Sequence, residues 1–345
     1  MGAVFQNIGH ILMAIIAFGI LVIVHEFGHF ILAKINDVRV DEFSIGMGPK
    51  LFGIKGKETE YKICLLPIGG YVKMYGEDDE VTSSDPRAYA NKSSWQKLSI
   101  VLAGPIMNIV LAILLFAIVG RVEGIKIPIV SQLIDNSPAQ QVGIKAGDEI
   151  KKVNGNEVVS WEDFVTGIML SEGKEVNIEV KRENETKEFT IKPELDESKK
   201  QYLVGIYGSI KTPNILEAVK HGFGETVSLT KQTFGFFGQL FKGQLSADDV
   251  GGPITIIRIS GEAARQGLTT LMFLAAYLSV QLAIFNIIPF PALDGGWTLI
   301  LILQIITRRE FNKEKIAKLN YYGFMVLMAL MVVVLVKDIV RPIKF

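Results

Sequence analysis

The sequence predicts a polytopic α-helical membrane protein: four transmembrane helices with two aqueous segments between them, one of which is a small α/β module. Three observations predict it. Four stretches, residues 1–24, 98–120, 266–293 and 319–336, contain no Asp, Glu, Lys or Arg, and a helix needs ~20 predominantly apolar residues to cross the hydrocarbon core. The charged residues, 21% of the chain, are therefore crowded between these runs. The 36 basic and 36 acidic residues cancel, which removes the electrostatic footprint that nucleic-acid binding needs.

The first helix covers residues 1–34. It has no basic leader and runs into the polar pair His25-Glu26 instead of a small-residue cleavage site, so it reads as a retained span and not as a signal peptide. Residues 35–96 form a polar region and residues 97–121 the second span. Residues 122–200 make the module, 201–265 a further aqueous segment, 266–307 the third span with a short following helix, and 319–340 the fourth span. The uncharged run 295–307 is too short to cross alone and reads as interfacial or re-entrant. Four spans leave both termini on one side. The 35–96 segment carries eight Lys and Arg, and Arg308, Arg309, Lys313, Lys315 and Lys318 oppose only Glu310 and Glu314. Short basic loops stay cytoplasmic, which puts both termini and the module outside, although Lys337, Arg341 and Lys344 pull the other way.

Within the module, residues 126–193 carry its pattern. Val176 to Val180 and Phe189 to Ile191 alternate like half-buried strands, and Asn154-Gly155 is a hairpin signal. Ser160 reads as the N-cap of a helix whose first turn holds Glu162 and Asp163. In the next stretch, 213–242, Leu216, Val219, Phe223, Val227, Leu229, Phe234, Phe237 and Leu240 recur at roughly helical spacing. That pattern fits a helix on the membrane surface or one packed on the module.

His25-Glu26-Phe27-Gly28-His29 carries the chemistry. Positions i and i+4 share a helix face, so both imidazoles can reach one Zn²⁺ with Glu26 beside them. The alternative is a pair of histidines satisfied by hydrogen bonds at a helix end. Apolar residues continue after the pentapeptide through Ala33, and ionisable groups in such a setting are expensive and usually functional. A catalytic zinc keeps three protein ligands, and Asp294, closing the third span, is the candidate for the third. The segment from Asn286 to Gly296 holds two prolines and two glycines, and broken backbone at membrane depth is tolerated where it lines a cavity. A capping Asp at the membrane boundary is the alternative for Asp294. The single cysteine, Cys64, excludes an internal disulfide and a cysteine-rich metal site.

At these residues the chain resembles the site-2 protease family of intramembrane zinc metalloproteases, in its bacterial regulator-of-sigma branch. His25 to His29 matches the family's HExxH, and Asn286 through Gly296 its NxxPxPxLDGG. Ala103-Gly104-Pro105-Ile106-Met107-Asn108 matches its GPxxN element. Ser44 through Leu51 and Leu66 through Met74 resemble its membrane-associated β-hairpin region on the cytoplasmic side, and Val250 through Ile254 the segment before the third span. Ser137-Pro138-Ala139, Gly143 through Asp148 and Ile150 through Gly155 resemble a PDZ domain. The best-known branch carries two such domains in tandem, whereas only one fits here.

The resemblance implies one Zn²⁺ per chain on His25, His29 and Asp294, with Glu26 as general base. It implies substrate-binding or oxyanion roles for Asn286, Asn108, Gly69, Gly70 and Tyr71, against interhelical hydrogen bonding as the alternative for the two asparagines. A PDZ-like groove near Gly143, Ile144, Gly147 and Asp148 would take a peptide ligand by strand addition, the alternative being a rigid spacer. Expected substrates are single-pass membrane proteins in a bacterial cytoplasmic membrane, such as anti-sigma factors or signal-peptide remnants, cut from the cytoplasmic side with no nucleic acid involved. Two other classes compete: a catalytically silent scaffold, which would carry no stoichiometric zinc, and an ion-coupled transporter, which usually shows paired broken segments in two related halves.

Overall fold

A computed structural model describes residues 2–77, 84–196, 201–242 and 251–341. In chain order the helix α1 (Gly2–Ile35) is followed by strands β1 (Val40–Lys55) and β2 (Glu60–Met74), then α2 (Ser94–Glu123). The module follows with β3 (Ile125–Leu133), α3 (Pro138–Gln141), β4 (Glu149–Val153), β5 (Asn156–Glu157), α4 (Trp161–Met169), β6 (Val176–Arg182), β7 (Glu185–Ile191), β8 (Glu194–Asp196), β9 (Gln201–Leu203) and β10 (Ile206–Lys211). Among the described residues five helices follow: α5 (Ile215–Phe241), α6 (Pro253–Gln266), α7 (Leu268–Ile287), α8 (Asp294–Thr307) and α9 (Lys313–Val340). Among the described residues four helical stretches are long and apolar enough to cross a membrane: Met13–Ile35, Ser94–Glu123, Leu268–Ile287 and Lys313–Val340. Val250 and Lys344, which entered the sequence reading, lie outside the described residues.

The chain divides into two compact units, residues 1–115 with 229–345, and residues 116–228. In the first unit α1 and the first part of α2 meet through glycine. A Cβ on Gly28 would fall 2.3 Å from the Ala103 carbonyl oxygen, and one on Gly104 would fall 2.4 Å from His29 Nε2. Small residues allow such close approach of spans. Asp338, buried in α9, accepts hydrogen bonds from the backbone N–H groups of Gly252 and Thr255 at 3.1 and 3.0 Å and from the Thr255 hydroxyl at 3.0 Å. It thus caps α6 from another helix and satisfies donors that the first turn leaves open.

β1 and β2 form an antiparallel two-stranded sheet that doubles on itself. Glu42 to Ile45 have partners on both sides, Lys73 to Gly70 and Glu60 to Ile63, while among the described residues 70–74 pair only with 40–45. The bends carry glycines with positive φ, Gly46, Gly48 and Gly69, a conformation that a Cβ disfavours. The far end exposes Leu51, Phe52, Ile54, Leu65 and Leu66.

The second unit is built on the sheet order β10-β3-β4-β6-β7. Its core gathers Val130, Ile150, Val176, Ile178, Val180 and Ile191, inward positions of alternating strands, with Phe164 of α4 and Ile144 of the loop after α3. Asn154 and Gly155, both at positive φ, turn β4 into β5. Ser160 caps α4 in a reciprocal box with Asp163, worth ~1 kcal/mol. The module's sheet extends past the expected limit at residue 200. Residues 201–203 and 206–211, expected in a helical segment, are strands: β9 pairs with β8, and β10 completes the sheet against β3, where Ser131 donates to the carbonyls of Tyr207 and Gly208. A second correction concerns Asp294. It does not close the third span but opens α8 after a break at residues 288–293.

Candidate active site in the membrane

α1 presents His25, Glu26 and His29 on consecutive turns, and the two imidazoles face a common point. His25 Nε2 lies 3.2 Å from His29 Nε2. Asp294 Oδ2 lies 3.0 Å from the first and 3.5 Å from the second. The three side chains are only 9%, 12% and 25% exposed.

Each ring is held from behind by its other nitrogen. His29 Nδ1 donates to the Ile100 carbonyl at 2.8 Å; a carbonyl only accepts, so Nδ1 carries a proton, and in the neutral ring Nε2 offers a lone pair. His25 Nδ1 is 3.1 Å from the side-chain amide of the fully buried Asn108. With the amide turned so that its oxygen accepts from Nδ1–H, His25 takes the same tautomer and the otherwise partnerless Asn108 oxygen gains a donor. Ser279 donates to the Asn108 carbonyl at 2.8 Å and ties this arrangement to α7. Such partners orient metal-binding histidines and raise their basicity.

Asp294 reaches the same point because α7 and α8 are separated by a tight turn. Pro289 and Pro291 cannot donate to a helical ladder, and Ala292 adopts φ 73°. A Cβ on Gly295 would fall 2.1 Å from the Ile288 carbonyl oxygen, and one on Gly296 2.4 Å from that of Phe290, so both glycines let α8 start against the turn. Asn320 of α9 accepts from the Ala292 N–H at 3.2 Å. Gly323 sits against Pro291, where a Cβ would meet its Cβ at 2.5 Å.

The donor set fits a zinc ion. Two imidazole lone pairs and a carboxylate oxygen face one another at 3.0–3.5 Å, and Asp294 Oδ2 is buried without a hydrogen-bond donor. Three electron-rich atoms this close repel unless a cation sits among them. A tetrahedral zinc with ligands at ~2.0–2.1 Å spaces them ~3.3 Å apart.

Glu26 lies against the β1–β2 sheet. At Gly70 a Cβ would stand 2.9 Å from Glu26 Cγ and 2.9 Å from the Ser44 carbonyl oxygen, so the strand runs directly past the carboxylate. Gly69 packs on Met47. Tyr71 donates to Glu42 at 2.8 Å within the sheet. Asn286 is half-buried in the last turn of α7. Asn108 faces His25 on the ring side opposite Asp294, which makes it a support for the histidine. The residues expected at a peptide groove have other surroundings. Ile144 is a core residue at 2% exposure. Asp148 is fully buried, held by Arg182 at 2.6 Å and by the Lys145 N–H at 2.9 Å. Gly143 and Gly147 supply positive φ in the connecting loop. Four contributors escaped the sequence reading as parts of the site: Ile100, Ser279, Asn320 and Gly323. Ile100 acts through its backbone and Gly323 through packing, whereas Ser279 and Asn320 act through side chains and are polar groups in otherwise apolar stretches.

Comparison with known proteins follows the same lines. The pattern of peptidase family M50 matches residues 13–330. A protein of Clostridium acetobutylicum named as a zinc metalloprotease is 49% identical over 97% of this chain and 99% of its own length. The regulator of sigma-W protease RasP of Bacillus subtilis is 32% identical over 95% of this chain and 97% of its own. Among solved structures, the PDZ domain of an SdrC-like protein of Listeria innocua is 28% identical over 26% of this chain and 96% of its own, with a TM-score of 0.22.

Proposed function

Because the chain belongs to peptidase family M50 and is an intramembrane zinc metalloprotease of site-2 type, we propose that its active site is the group His25, Glu26, His29 and Asp294. The single observation that carries this assignment is the convergence of three otherwise repelling ligand atoms beside a carboxylate. His25, His29 and Asp294 hold the zinc. When bound, it supplies the Lewis acidity that polarises the scissile carbonyl and acidifies water. Glu26 takes the proton of the attacking water and returns it to the leaving amide nitrogen. Asn108 and the Ile100 carbonyl keep both imidazoles in the ligating tautomer.

Peptide bonds in a helical segment are hidden by their own hydrogen bonds, so the substrate must be held extended at the site. The 70–74 end of β2 supports this role, since it pairs on one side only and passes Glu26 at Gly70. A substrate strand added there would gain backbone hydrogen bonds. Asn286, at the helix break, is placed to orient the substrate backbone. Substrates are single-pass membrane segments, anti-sigma factors or signal-peptide remnants among them, in a bacterial cytoplasmic membrane. The zinc site opens toward the cytoplasm, and the module and both termini lie outside, as the basic loops favour. The module is PDZ-like, and its outer strands β7 and β10 offer the edges to which a peptide adds.

Metal analysis of Asp294→Ala tests the assignment. The variant is expected to lose one zinc equivalent relative to wild type, together with cleavage of a membrane-embedded substrate. Unchanged zinc content would remove Asp294 from the ligand set.

A further inference from the structure

A second cluster of metal-ligating side chains lies wholly inside the 116–228 unit. Glu162 stands in the first turn of α4, and His221 and Glu225 stand one turn apart on α5. One ligand atom from each lies within 4.8 Å of the others. His221 Nε2 is 3.9 Å from Glu225 Oε1, with both side chains under 20% exposed. The ring of His221 rests on Gly120 at the end of α2, where a Cβ would stand 2.8 Å from its Cδ2. The glycine thus leaves room for the imidazole.

Glu162 and Glu225 face each other across the cluster beside the His221 ring, with one ligand atom from each residue within 4.8 Å of the others. Two ionised carboxylates this close repel each other, and a cation among them removes that repulsion.

We propose that Glu162, His221 and Glu225 form a second metal site, additional to the catalytic one, that takes a divalent transition-metal ion of the zinc class. One imidazole nitrogen and two carboxylate oxygens are the ligand chemistry of such ions, whereas magnesium and calcium take oxygen alone. The cation offsets the repulsion of the two carboxylates and cross-links α4 to the first half of α5. Partial exposure leaves a coordination position for water. The pairing of residues four apart on one helix with a third ligand from elsewhere repeats the arrangement of the catalytic centre, with different residues.

The experiment uses the full chain in detergent, without a histidine tag, carrying His25→Ala and His29→Ala so that the catalytic site is blank. The metal-stripped protein is titrated with zinc chloride alone and with cobalt chloride alone. One equivalent of zinc is expected, with visible absorption from cobalt and a rise in the thermal unfolding midpoint on adding zinc. Adding Glu225→Gln, which keeps the side chain's size and removes its charge, is expected to weaken binding at least tenfold and to abolish the thermal shift. Absence of stoichiometric uptake, the result if the carboxyl pair holds only a proton, overturns the proposal. So does undiminished uptake by both Glu225→Gln and His221→Ala. Both catalytic histidines are missing throughout, so either result is independent of the assignment of the active site.

Discussion

A methyl group at Gly104 would stand 2.4 Å from His29 Nε2 and 2.8 Å from His25 Cε1, closer than any packed side chain tolerates. Gly104→Ala is therefore expected to displace the ligating nitrogens and to weaken zinc binding by roughly 10–100-fold, read by competition with a chelator. Unchanged affinity would show that the spans can move apart at little cost. At this scale the sequence was informative where identity carries chemistry. His25, Glu26 and His29 stand out by spacing alone, and Asp294 by the broken segment around it. It was silent on the supports. The Ile100 carbonyl that fixes His29 is a backbone group that every residue has, and the sequence left Asn108 between a substrate-facing group and an interhelical hydrogen bond, because nothing in a sequence says on which side of a ring an amide falls.

The β1–β2 sheet is the element that carries the substrate half of the account. Its 70–74 end passes Glu26 so closely that Gly70 has no room for a Cβ. Gly70→Val is expected to push the strand off the carboxylate and lower cleavage on the order of 10²-fold, the usual cost of a misplaced reacting group, while zinc content stays at the wild-type level. Loss of zinc along with activity would instead mean that the sheet supports the metal ligands. The hairpin region was legible from its glycines and β-formers, but its doubling back was not, since pairing on both sides of Glu42 to Ile45 is a long-range choice. β10 was missed for the same reason. Its residues alternate too weakly to mark a strand, and β3 supplies the partner from more than seventy positions away. The start of α8 at Asp294 was obscured because Gly295 and Gly296 suggest a helix ending, whereas their function is close approach to the preceding turn.

For the molecule as a whole, the uncharged runs located four helices that, among the described residues, are long and apolar enough to cross a membrane, while the division into two units followed from tertiary contacts. Global stability has a pH signature outside the spans. Burial alone would raise the pKa of Glu58, but hydrogen bonds from Lys34 and Arg87 hold it down at about 2. A carboxylate with a lowered folded-state pKa adds stability above its unfolded value of ~4.3 and loses it as pH falls through the folded one. Unfolding in detergent is therefore expected to ease as pH drops from about 4.5 toward 2, less steeply for Glu58→Gln; equal slopes would remove Glu58 as a cause. The central claim, that Glu26 performs the proton transfers beside a zinc held by His25, His29 and Asp294, is tested most directly by Glu26→Gln, with zinc content and cleavage of a membrane-embedded substrate measured on the same preparation. The account expects wild-type zinc content with cleavage reduced by ~10²–10⁴-fold; undiminished cleavage would contradict it.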